Sequence, residues 1–276
     1  MNRLYSYSCF SLFLCFLAFG QAFAAHVDTV LTYSPAMNKS IKAVVLTPDD
    51  YQKGAKNYPV LYVLHGYGGN YSNYIKNVPE LKDYADQYKM IMVFPDGQTG
   101  SWYFDSPIDP AWKFETYISS ELVGWMDKNY RTIHDRKGRA ITGLSMGGHG
   151  AMFLAFRHQD VFGAAGSMSG GVDFRPFPTK WDIAKRLGPY EQNQERWTEY
   201  TAITQLDKVK SGSLSLIIDC GYSDFFFDVN KSFHEKLLLK CIEHDFIVRP
   251  GAHNWKYWQN SIAYQVFFMS RFFNQN

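Results

Sequence analysis

The stretch Arg139 to Ala151, R-A-I-T-G-L-S-M-G-G-H-G-A, constrains this chain more than any other. A short apolar run, Ala140–Leu144, leads into Gly143-Leu144-Ser145-Met146-Gly147, and a helix-forming run follows from Gly148. G-x-S-x-G carries meaning in that setting, where a strand turns sharply into a helix. The turn is so tight that the residues two before and two after the serine must be nearly free of side chain, and glycine meets that demand at the least steric cost. Such a corner pushes the Ser145 hydroxyl out at the carboxyl edge of a sheet and at the amino end of a helix. Gly148, Gly150 and Ala151 keep the first helical turns small. The spacing alone would be a weak signal. The strand before it and the small residues after it make it specific.

The amino-terminal residues read differently. Arg3 is the only charge ahead of an apolar and small run from Cys9 to Gly20, and Gln21-Ala22-Phe23-Ala24 then supplies an A-x-A pattern. These are the features of a cleaved secretory signal peptide, too short and wrongly flanked for a membrane span. Residues 1–24 are therefore set apart, residues 25–276 are expected to form one catalytic domain, and the protein is expected to be exported, to the periplasm or beyond the cell. No other uninterrupted apolar run is long enough to cross a bilayer. A chain of 276 residues can bury one substantial core, and α/β enzymes near this size often form a single domain. Lys and Arg number 28 against 26 Asp and Glu, a balance that favours neither nucleic acid nor an acidic surface as partner. Of four cysteines, Cys9 and Cys15 fall in the leader, and the remaining Cys220 and Cys241 are too few for a disulfide scaffold. These two are expected on opposite edges of the sheet and hence unbonded, since a disulfide needs Cα atoms within about 7 Å.

Strands and helices alternate along the chain. Lys42–Leu46, Pro59–Leu64, Met90–Phe94, Ala140–Leu144, Ala164–Met168, Leu214–Asp219 and Phe246–Arg249 are short apolar runs, several of them continuous, as expected of strands covered on both faces. Helical stretches are expected at Leu81–Tyr88, Trp112–Asn129, Met146–His158, Phe233–His244 and Ser261–Phe273. This alternation implies βαβ units and a mainly parallel sheet with helices on both faces. Residues 172–212 are polar, contain proline and are rich in Trp and Tyr, with no clear strand. They read as an excursion over the carboxyl edge of the sheet, either a small partial lid or a plain surface connection.

A serine in this position needs a base and an orienting acid before it can attack an ester or amide. In a parallel sheet both belong on loops at the carboxyl ends of later strands. Among the eight histidines, His26 lies beside the leader, and His65 and His134 precede the serine. His149 and His158 belong to the helix after it, and His234 and His244 to a later helical stretch. His253 alone follows a last strand in a loop, Pro250-Gly251-Ala252-His253, and is the expected base. For the acid, Asp219, Asp224 and Asp228 follow the penultimate strand. Asp219 closes that strand and is expected to lie too deep, holding backbone there. Asp228 is expected to cap the next helix. Asp224 at the loop tip is the expected acid.

The oxyanion needs backbone N–H donors. Met146, directly after the serine at the amino end of a helix, supplies one. The glycine-rich exit loop His65-Gly66-Tyr67-Gly68-Gly69 can supply the second through Tyr67, with His65 bracing the loop. Aromatic residues are abundant. Most are expected in the core, but Tyr67, Trp102, Tyr103, Phe225 and Trp255 fall on presumed cleft loops, where flat faces suit sugar rings or an aromatic acyl group. The acids and histidines show no metal-ligand spacing such as H-E-x-x-H, and this chemistry requires no cofactor.

Six motifs together resemble the esterase D family of α/β-hydrolases, which includes S-formylglutathione hydrolases, feruloyl and acetyl-xylan esterases and mycolyltransferases. They are L-H-G-Y-G-G (Leu64–Gly69), S-W-Y-F-D (Ser101–Asp105), N-Y-R-T (Asn129–Thr132), the serine motif, D-C-G-Y-S-D-F-F (Asp219–Phe226) and P-G-A-H-N-W-K-Y-W (Pro250–Trp258). They come in family order and span most of the chain beyond the leader. The resemblance implies an α/β-hydrolase fold, with Ser145 as nucleophile, Asp224 as acid, His253 as base and the Tyr67 and Met146 amides as oxyanion donors. Ala252 stands where the family often has glycine, and Asn254 where it often has aspartate. The expected function is hydrolysis of carboxylic esters of a small molecule or oligosaccharide, with acetyl or feruloyl groups on carbohydrate as the favoured class. An S-formylglutathione hydrolase-like thioesterase and a non-catalytic binding protein of the same fold are the rival readings.

Overall fold

The computed structural model describes residues 25–275. The expected leader, residues 1–24, lies outside the described residues. Eight strands build one sheet: β1 (His26–Ser34), β2 (Lys39–Thr47), β3 (Val60–Leu64), β4 (Ile91–Pro95), β5 (Arg139–Gly143), β6 (Ala164–Met168), β7 (Ser215–Gly221) and β8 (Asp245–Arg249). Their order across the sheet is β1-β2-β4-β3-β5-β6-β7-β8. Every neighbouring pair from β4 to β8 is parallel, while β1 pairs antiparallel with β2 and β2 with β4. The helices are α1 (Asn73–Asn77), α2 (Leu81–Tyr88), α3 (Phe114–Thr116), α4 (Val123–Asn129), α5 (Met146–Arg157), α6 (Ile183–Leu187), α7 (Gln194–Glu199), α8 (Phe227–Leu239) and α9 (Trp255–Asn274).

The central strands are buried on both faces, and alternate residues feed two separate cores. Val60, Tyr62 and Leu64 of β3 join one cluster with Phe153 of α5 and Phe233 of α8. Leu61 and Val63 join the other, with Leu81 of α2 and Ile262 and Val266 of α9. That two-sided burial is why these strands read as unbroken apolar runs. All seven expected runs became strands. The eighth, β1, is half exposed along its length, so its sequence offers no such run.

Three helices differ from expectation. The stretch expected from Trp112 begins at Phe114, and α3 and α4 are joined by a π-helical segment, Tyr117–Leu122. The helix expected at Phe233–His244 starts six residues earlier and ends at Leu239, because Cys241 adopts a left-handed backbone. The last helix also starts six residues early, where the Asn254 side chain accepts the Tyr257 N–H at 3.2 Å and caps its first turn. Asp228 lies in the first turn of α8 and makes no capping hydrogen bond.

Residues 172–212 contain α6, α7 and two 3-10 turns but no strand. Ile183, Leu187, Trp197, Ala202 and Leu206 are buried in the same core as α5. The excursion is thus welded to the body, and its Trp181 reaches the cavity around Ser145.

Candidate active site

The corner between β5 and α5 presents Ser145 at φ 57°, ψ −117°, a left-handed conformation that a non-glycine residue holds only when its surroundings dictate it. Those surroundings are backbone. A Cβ at Gly143 would overlap the Gly147 carbonyl, and one at Gly147 would overlap the carbonyl of Leu64. Glycine at both positions is therefore a packing requirement.

Ser145 Oγ lies 2.9 Å from His253 Nε2. His253 Nδ1 lies 3.0 and 2.9 Å from the two carboxylate oxygens of Asp224. Asp224 stands in the turn after β7, where its Oδ1 also accepts the Phe226 N–H at 2.8 Å. The Ser223 amide donates to the Gly251 carbonyl at 2.9 Å, clipping the acid's turn to the histidine's loop. The His253 ring sits between Phe225 at 4.2 Å and the edge of Trp258 at 4.9 Å. The three side chains, 108 and 29 residues apart along the chain, thus form one continuous hydrogen-bonded relay. Carboxylate to Nδ1 fixes the tautomer that leaves Nε2 free to take a proton from the hydroxyl.

Of the two backbone amides expected to serve as oxyanion donors, that of Tyr67 belongs to a residue lining the cavity around Ser145. Met146 heads α5, where a first-turn amide has no intrahelical acceptor. The Tyr67 amide donates to no acceptor among the described residues. Its loop is braced by His65, whose Nε2 accepts the Gly97 amide at 2.7 Å while Nδ1 donates to the Gly66 carbonyl at 2.8 Å. The cavity, about 420 Å³, is walled by Tyr67, Trp181, Phe225, Trp255 and Trp258 around Ser145 and His253.

Trp102 and Tyr103 do not line the cleft, contrary to expectation. Both are fully buried. The Tyr103 hydroxyl donates to the His65 carbonyl at 3.0 Å, and Trp102 Nε1 donates to the Trp181 carbonyl at 3.1 Å. They support the cleft loops from below, because consecutive left-handed backbones at Trp102 and Tyr103 turn both rings inward. Trp181 and Trp258 take cleft positions that the sequence reading missed. Trp181 is delivered by the excursion, stacks on Phe225 at 5.7 Å, and is followed by Asp182, which accepts the Tyr67 hydroxyl at 3.0 Å. The W-x-x-W spacing of Trp255 and Trp258 could have pointed to the second.

Asp219 is buried as expected, yet its carboxylate holds side chains rather than backbone: Tyr257, Ser261 and Arg249. Burial pushes its carboxyl up, against the pull of those three partners. Cys220 is buried and Cys241 exposed, and both are free. Among the described residues no group of three or more His, Cys, Asp or Glu could hold a metal ion, and no helix is long and apolar enough to cross a membrane.

Residues 34–269 match the model of the family named Esterase. The chain belongs to the Esterase family. Among its curated relatives, Esterase Rv1288 of Mycobacterium tuberculosis is 33% identical over 150 residues, 53% of this chain but 31% of that protein's length. The matched segment of this chain thus spans about a third of that relative's length. An acetyl esterase of Caldicellulosiruptor saccharolyticus is 24% identical over 87% of this chain and 96% of its own length. Among solved structures, a ferulic acid esterase superposes with a TM-score of 0.79 at 29% identity, over 91% of this chain and 99% of that one. The mainly parallel sheet is that of the α/β-hydrolase esterases.

Proposed function

We propose that this chain is an exported serine esterase that hydrolyses carboxylic esters through an acyl-enzyme, and that its substrates are short or aromatic acyl esters of carbohydrate. The observation that carries the reading is the unbroken relay from Asp224 through His253 to Ser145, in a chain of the Esterase family. In this account His253 Nε2 takes the Ser145 proton as Oγ attacks the acyl carbon. Asp224 steadies the imidazolium that forms, and the Tyr67 and Met146 amides hold the developing oxyanion. The histidine then returns the proton to the leaving alcohol. Water, deprotonated by the same nitrogen, attacks the acyl-enzyme and releases the acid.

The substrate class is supported by the aromatic walls of the cleft, whose faces suit a planar acyl group or a sugar ring, and by relatives named for acetyl and ferulic acid esters. Export rests on the character of residues 1–24. The test compares kcat/KM on acetylated xylo-oligosaccharide, methyl ferulate, nitrophenyl acetate, nitrophenyl palmitate and S-formylglutathione. Preference for either of the first two supports the reading. Preference for palmitate or S-formylglutathione overturns the substrate class, and failure on all five overturns the enzyme.

A further inference from the structure

Five residues before Asp224, β7 carries a second carboxylate that the reaction leaves unused. Asp219 is fully buried. Its Oδ1 accepts from the Tyr257 hydroxyl and from Ser261 Oγ at 3.0 Å, and its Oδ2 from the Arg249 guanidinium. Arg249 also donates to Ser261 Oγ at 2.9 Å and to Asn260 Oδ1 at 3.2 Å. A buried charge demands such partners, but burial does not explain where they stand. Arg249 ends β8 four residues before His253, and Tyr257 lies four residues after it, so one carboxylate on the acid's strand grips both ends of the loop that carries the base.

A second contact presses on the same loop. Gly251, two residues before His253, has φ 156°, and a Cβ there would overlap the Tyr257 ring. The ring therefore lies flush against the loop backbone while its hydroxyl is tied to Asp219. On the other side of Gly251, its carbonyl accepts the Ser223 amide at 2.9 Å, and the Arg249 carbonyl accepts the Tyr222 amide at 3.1 Å. The loop is held between Tyr257 and the Asp224 turn.

Given the reading of Ser145, His253 and Asp224 as the catalytic relay, we propose that Asp219 and Tyr257 are positioning residues, which set the height of the Gly251–His253 loop so that His253 meets Ser145 and Asp224 at once. Displacing a catalytic group by about 1 Å costs on the order of a hundredfold in rate. Loss of one tether should cost part of that.

The deciding variant is Tyr257→Phe, which keeps the ring on Gly251 and removes one hydroxyl. With nitrophenyl acetate at 25 °C, kcat is expected to fall about tenfold, with KM changed less than about twofold. The rate at which a fluorophosphonate labels Ser145 is expected to fall by the same factor, since that step also needs His253 in place. Asp219→Asn should give a larger loss of kcat, again at nearly constant KM. If Asp219→Asn does not fold, Tyr257→Phe decides alone. A purely structural bond would lower the melting temperature and leave kcat and the labelling rate at wild-type values, and that result overturns the proposal. An inactive wild-type protein would instead overturn the esterase reading on which it rests.

Discussion

His149 ties α5 to its surroundings, and its protonation gives a stability change of known sign. It sits one turn into α5, fully buried, with Nδ1 3.2 Å from the Trp102 carbonyl and Nε2 3.0 Å from the Tyr200 carbonyl. A neutral imidazole can donate to only one of these. Protonation would satisfy both, yet burial outweighs that gain and holds the pKa down to about 4, from 6.5. Between those two values the unfolded chain binds a proton that the folded chain refuses. The stability linked to His149 is therefore complete above pH 6.5 and is lost as pH falls through 4. The shift, 6.5 − 4, corresponds to about 3 kcal/mol. His149→Gln removes the titrating group. Urea unfolding of both proteins at pH 7, 6, 5 and 4 isolates the effect, because other ionising groups contribute equally to the two curves. The variant should be less stable than wild type at pH 7, where it loses packing against Phe153 and Trp102, and this deficit should shrink by about 3 kcal/mol by pH 4. Parallel curves would refute the argument that burial keeps His149 neutral.

Gly147→Ala drives a methyl into the Leu64 carbonyl, and overpacking against backbone should cost about 3 kcal/mol, read as a lower urea midpoint together with lost activity. Asp224→Asn should lower kcat by about four orders of magnitude, and by more than Asp219→Asn; the reverse order would move the acid to Asp219. Thiol titration of denatured, unreduced protein spanning residues 25–276 should find both Cys220 and Cys241 reactive, and a mass two hydrogens lighter with no free thiol would contradict the placement of the two cysteines.

The elements legible in the sequence were those with a local physical cause. The G-x-S-x-G corner declares itself because backbone contact forbids side chains at Gly143 and Gly147. The central parallel strands declare themselves because burial on both faces leaves few polar positions. Ser145, Asp224 and His253 could be paired in advance because strand order alone puts the ends of β5, β7 and β8 on one edge. β1 was missed because an edge strand half in solvent carries no continuous apolar run. Trp102 and Tyr103 were misplaced because whether an aromatic faces a cleft or a core depends on left-handed backbones in its loop, and no side-chain pattern announces those. Trp181 was missed for a related reason. The excursion has no periodicity from which its path can be read, and the stacking on Phe225 that places the ring is a contact between distant segments.

The central claim, that Ser145 is a nucleophile activated by His253, is tested most directly by labelling. The protein is mixed with a fluorophosphonate and followed by intact mass and peptide mapping, beside Ser145→Ala and His253→Ala. The account predicts a single adduct on Ser145 in wild type, none in Ser145→Ala, and labelling slowed by at least about a thousandfold in His253→Ala. An adduct in Ser145→Ala at the wild-type rate, or a wild-type protein that takes up no label, would contradict it.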